Sequence, residues 1–106
     1  MNKKETQRIE DLYGVILGLK NLAEARRFFR DLLTEPELIE FGRRWQAAQM
    51  LEAKVPYTKI VEETGLSSTT VARVAKWLNK GMKGYKLALA RQNKKHHHLS
   101  SPSRKV

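Results

Sequence analysis

The segment Ile60–Leu78, IVEETGLSSTTVARVAKWL, constrains the fold more than any other stretch of the chain. Gly65 stands between two short segments whose apolar residues fall at helical spacing, and Leu66 and four hydroxyl residues, Ser67, Ser68, Thr69 and Thr70, follow it. Two helices meeting at a steep angle need a tight turn, often containing glycine. Glycine enters the left-handed conformation such a turn uses without a Cβ clash. The first helix must then bury Ile60 and Val61, Leu66 must fill the corner, and the second helix must bury Val71 and Val74; all five are apolar. Ser67 is a natural N-cap for a helix from Ser68 to about Asn79. The pattern predicts a helix-turn-helix, although Gly65 alone would also suit a plain helical hairpin with a glycine cap.

The residues left on the outside of the second helix point to a ligand. Ser67, Ser68, Thr69, Ala72, Arg73 and Lys76 are small or polar at its start and cationic further along. Small side chains let a helix enter the major groove of DNA. Hydroxyls and free N–H groups at its start bind phosphate, aided by the helix dipole. Arg73 has the chemistry for a bidentate contact to a base, which discriminates by about 1–3 kcal/mol. The expected DNA-binding set is Ser67, Ser68, Thr69, Thr70, Arg73, Lys76, Lys80 and Lys83.

Charge placement agrees. Up to Glu63 there are eleven Lys/Arg and eleven Asp/Glu; the last 43 residues hold ten Lys/Arg and no acid, and so the whole net charge of +10. Such one-sidedness suits a polyanion partner, double-stranded DNA above all. A solvated basic tail is the alternative, and Lys80, Lys83, Lys86 and Arg91 are either phosphate contacts or a solvated face.

The rest of the chain predicts an all-α domain of about six helices with no strand. Apolar residues at Ile9, Leu12, Tyr13, Ile16 and Leu19 make one face of a helix over 5–20. Asn21 with Glu24, and Thr34 with Glu37, form capping patterns that start the next two. The third of these helices carries Leu38, Phe41, Trp45, Ala48 and Leu51, has Pro36 in its first turn, and ends near Lys54. Pro56 opens a short helix through Glu63, Gly81 and Gly84 bracket a loop, and a last helix spans 85–93. The domain is therefore 1–93, with dimerisation helices in 5–54 and the helix-turn-helix in 57–79. KKHHHLSSPSRKV, over 94–106, reads as a disordered basic tail.

Several classes are disfavoured. The chain has no cysteine, hence no disulfide framework or thiolate metal site. The charged N-terminus lacks a signal peptide's apolar run, and no stretch approaches the roughly 18 apolar residues of a membrane span. A soluble, cytoplasmic protein with no membrane association is expected. Catalysis is not: all three histidines lie in the tail, and no Gly-rich phosphate loop or paired acidic motif occurs. His96, His97 and His98, adjacent in a flexible segment, fix no metal geometry. Trp45 and Trp77 lie in apolar stripes and suit a core or a dimer interface. The competing reading is a helix-turn-helix used as a protein or RNA interaction module.

LLTEPELIEFGRRW, followed about twenty residues later by the helix-turn-helix, resembles the Trp-repressor family, specifically its YerC/YecD-type branch. The likeness covers 32–78 most strongly, with Leu33, Thr34, Gly42, Arg44 and the Gly65–Arg73 segment as its most specific elements. It implies an intertwined all-helical homodimer whose paired reading helices enter successive major grooves of a palindromic operator, a transcriptional repressor. It also implies an effector site for tryptophan or another amino acid, carried here by Thr34, Arg44 and Arg73. At two further positions of that site this chain has Val74 for a glycine and Trp77 for a serine. Valine adds volume where an indole would stack, and Trp77 can fill the space itself, so free tryptophan is disfavoured and no cofactor is expected. Arg44 has a second available role, as a surface or ion-pairing arginine.

Overall fold

The computed structural model describes residues 1–93, and every regular element among them is helical. The elements are α1 (Lys3–Leu17), α2 (Leu22–Leu32), α3 (Glu35–Glu52), α4 (Tyr57–Thr64), α5 (Ser68–Lys80) and α6 (84–93). The chain divides into two compact units, Met1–Ile39 and Glu40 onward. The expected tail over 94–106, with His96, His97 and His98, lies outside the described residues.

In the first unit, polar caps set where helices begin. α1 starts at Lys3, not Glu5, because Asn2 accepts the Glu5 N–H at 2.8 Å while Glu5 accepts the Asn2 N–H at 3.1 Å. This reciprocal pair satisfies two backbone donors that a helix start leaves free. α1 stops at Leu17, short of the expected Lys20. Asn21 caps α2 as expected, accepting the Glu24 N–H at 2.9 Å; the Glu24 carboxylate takes the Lys20 N–H at the same distance. Thr34 and Glu37 close the box that opens α3: Glu37 accepts the Thr34 N–H at 2.8 Å and its hydroxyl at 3.0 Å, and Thr34 accepts the Glu37 N–H at 3.3 Å. These bonds hold the Glu37 carboxyl below its ordinary value of 4.5.

The apolar stripes of α1 and α2 are covered only in part: Ile9, Leu12, Ile16, Leu19, Phe28 and Phe29 are half-buried. Neither helix contains a buried residue, and Tyr13, Leu17, Leu22 and Leu32 are exposed. Phe28 and Phe29 meet edge to face, 5.5 Å between centroids. For a stripe at helical spacing to remain in water is costly, at roughly 25 cal/mol per Å² of apolar surface.

The second unit has a core. Ala47, Ala48, Ile60, Leu66, Val71 and Val74 form it, with Trp45, Met50, Leu51, Val55, Val61 and Tyr85 packed around them. Ala47 and Ala48 are fully buried; with only a methyl each, they suit close approach of neighbouring helices. The chain leaves α3 through Lys54, itself left-handed at φ 64°, and Pro56 caps α4 without a side-chain bond. Phe41, expected on the buried side of α3, is exposed.

Candidate nucleic-acid interface

The corner between α4 and α5 has the conformation the sequence demands. Gly65 sits at φ 76°, ψ 5°, in the left-handed region, and its N–H donates to the Val61 carbonyl at 3.0 Å. An L-residue there pays about 1–2 kcal/mol. Leu66 fills the corner at 4% exposure, and Ile60, Val71 and Val74 are buried. Val61 is only partly buried.

Thr64, to which the sequence drew no attention, stitches this turn. Its buried hydroxyl donates to the Ile60 carbonyl at 2.7 Å and accepts the Leu66 N–H at 3.2 Å. It thereby ties the last turn of α4 to the residue that plugs the corner. A threonine immediately before the turn glycine was the available cue.

Ser67 then caps α5, accepting the Thr70 N–H at 3.1 Å; its hydroxyl also lies 3.0 Å from that of Thr70. The two hydroxyls are thus engaged with one another, and Thr70 is partly buried. Ser68, Thr69, Ala72, Arg73 and Lys76 are all exposed, on the face opposite Val71, Val74 and Leu78. Lys76 lies with its ammonium 5.5 Å from the centre of the Trp77 ring.

Past α5 the chain turns sharply. A Cβ on Gly81 would sit 2.5 Å from the Trp77 carbonyl oxygen, so only glycine fits. Lys83 holds a left-handed φ of 67° in the same turn, and Lys80 is exposed at the end of α5. Lys86 differs from the other flanking cations: its ammonium lies 3.4 Å from Glu52, which ties α6 to the end of α3. Trp77 is 49% exposed and Met82 98%. With Gly81, Gly84 and Tyr85 they line an apolar groove of about 400 Å³.

Of the residues that the resemblance assigns to an effector site, Thr34 spends its hydroxyl on the α3 cap. Arg44 pairs with Glu40 at 3.3 Å and lies 5.8 Å from the centre of the Phe41 ring, the ion-pairing geometry open to it from sequence. Arg73 is exposed on α5. Among the described residues no group of three or more His, Cys, Asp or Glu is placed to hold a metal ion. No helix among them is long and apolar enough to cross a membrane.

Comparison with known proteins gives this architecture its relatives. The chain is 40% identical over 91 residues to the uncharacterized protein YerC of Bacillus subtilis (strain 168), covering 86% of this chain and 88% of that one. The crystal structure of a TrpR-like protein from Eubacterium eligens ATCC 27750 superposes with a TM-score of 0.80 at 40% identity, covering 88% of this chain and 96% of that one. A second structure, from Staphylococcus aureus, gives 0.78 at 33% identity over 88% and 95%. The family model for the Trp repressor protein matches residues 7–93. An all-helical chain with a left-handed glycine corner, matched over nearly all its described length, belongs to the Trp repressor family, a family of regulatory DNA-binding proteins rather than enzymes.

Proposed function

We propose that the protein is a sequence-specific DNA-binding transcriptional regulator that acts as a homodimer and represses from a palindromic operator. The observation that carries this reading is the outward face of α5. Its buried side is committed to the core through Val71, Val74, Ala75 and Leu78, which leaves Ser68, Thr69, Ala72 and Arg73 as a narrow, acid-free ridge. A ridge of that composition fits a major groove, with Arg73 for guanine and the hydroxyls for phosphate. Lys76, Lys80 and Lys83 extend the positive charge toward the next turn of backbone.

The first unit supports the dimeric part of this reading. Two helices with no buried residue and exposed Tyr13, Leu17, Leu22 and Leu32 gain most by burying those stripes against a second copy. A two-fold dimer would set its half-sites about 34 Å apart. An amino-acid effector held by Thr34, Arg44 and Arg73 is not favoured, since Thr34 already bonds Glu37 at the α3 cap and Arg44 pairs with Glu40.

Selection from random duplexes tests the proposal. A motif of two inverted half-sites separated by one helical turn is expected, with affinity falling by about 10³–10⁵ between 50 and 200 mM salt if six to ten phosphates are contacted. Recovery of no enriched sequence would overturn it.

A further inference from the structure

The first helix of the corner has a feature that base reading by α5 does not use. Between the start of α4 and the flank of α5 runs a groove of about 370 Å³, lined by Tyr57, Ala72, Ala75, Lys76, Asn79 and Lys80. Its lining combines two alanines, Ala72 and Ala75, with one phenol and two lysines.

The charges around it are not balanced internally. Lys59, the one cation on α4, lies 3.4 Å from Glu63 and 4.0 Å from Glu62. The exposed side of α4 is therefore net negative and offers no free cation. Lys76 and Lys80 have no acid on their own helix, because none occurs after Glu63. Asn79 already donates from its side-chain nitrogen to the Ala75 carbonyl at 2.9 Å. That leaves Tyr57, 48% exposed in the first turn of α4, as the neutral donor that lines the same groove as the lysine pair.

We propose that this groove seats a backbone phosphate of the duplex, with the Tyr57 hydroxyl donating to a non-bridging oxygen and Lys76 and Lys80 supplying the charge. A tetrahedral monoanion needs donors from more than one side, and here they come from two helices set at the corner. The small side chains of Ala72 and Ala75 leave room for the sugar-phosphate chain to pass. The seat would fix the rotation of α5 in the groove, since a contact on α4 and one on α5 must be satisfied by the same strand. It also places the backbone contact away from Glu62 and Glu63, whose carboxylates would repel it. This inference rests on the DNA-binding proposal and adds Tyr57 to it.

The test uses the full-length protein and the duplex enriched by selection. Tyr57→Phe keeps the ring and removes only the hydroxyl. An affinity loss of about 10- to 150-fold is expected for a hydrogen bond to a charged group. The slope of log affinity against log salt should stay unchanged, because a phenol displaces no counterion. Lys76→Gln and Lys80→Gln should each flatten that slope by about 0.9. Methylphosphonate replacement of single phosphates should identify one position per half-site where the wild type loses affinity and Tyr57→Phe loses nothing further. If Tyr57→Phe binds as tightly as wild type, or if its loss adds to that of every methylphosphonate, the seat is refuted while DNA binding stands. If the wild type enriches no duplex, binding to a non-specific duplex measures the same variants, and the proposed function fails separately.

Discussion

The corner at Gly65 supports a quantitative prediction. Replacing Gly65 with alanine adds a Cβ that would meet the Arg43 guanidinium at 3.7–3.9 Å, an ordinary van der Waals distance, so no clash arises. The cost comes from the backbone alone. At φ 76° an L-residue is disfavoured by about 1–2 kcal/mol, and stiffening of the unfolded chain returns about 0.4–1 kcal/mol. The net loss is about 1 kcal/mol. For a domain of this size that lowers Tm by about 4–8 °C. Urea unfolding should show a lower midpoint with an unchanged slope. Gly65→Asn should cost less, because asparagine tolerates the left-handed region. An Arg43→Ala background should leave the Gly65→Ala cost unchanged to within about 0.5 kcal/mol. Two results would refute the reasoning. An alanine variant as stable as wild type would mean that residue 65 is not left-handed. Full rescue by Arg43→Ala would mean that the turn is tighter than its geometry indicates.

Thr64→Val should destabilise by about 1–3 kcal/mol, since it leaves the buried Leu66 N–H without its acceptor, while Thr64→Ser should restore most of the loss; equal urea midpoints for the two variants would contradict this. Glu37 is stabilised as a carboxylate by Thr34, so its folded pKa lies below its unfolded one. The stability it contributes is therefore present above the ordinary value of 4.5 and is lost as pH falls through the folded pKa. The gap in urea midpoint between wild type and Glu37→Gln should accordingly close on acidification; a gap that widens would reverse the sign.

Much of this architecture is legible in the sequence because the signals are local. Asn21, Thr34 and Ser67 are capping residues whose partners lie three positions on, and Gly65 must adopt one unusual φ. Such features need no knowledge of distant chain. The start of α1 is legible too, in Asn2 and Glu5, but the apolar stripe that begins only at Ile9 hides it. What is not legible depends on tertiary partners. Periodicity puts Phe41 and Val61 on apolar faces, yet Phe41 is exposed and Val61 half covered, because periodicity cannot say which part of a stripe finds a neighbour in the same chain. Lys86 looks like another free cation until Glu52, 34 residues away, lies beside it. Tyr57 gains interest only because α5 brings Lys76 and Lys80 to its side. The stripes of α1 and α2 show the same limit in reverse: the sequence specifies a face, and the single chain covers it only in part.

Whether the outer ridge of α5 meets base edges is measured most directly by comparing Arg73→Ala with Lys83→Ala. Affinities of both variants would be read across the enriched site and all its single-base changes. Arg73→Ala should flatten discrimination at one base pair per half-site by about 1–3 kcal/mol, while Lys83→Ala should weaken every duplex by the same factor and leave the rank order intact. Uniform weakening by Arg73→Ala, with discrimination unchanged at every position, would contradict the account.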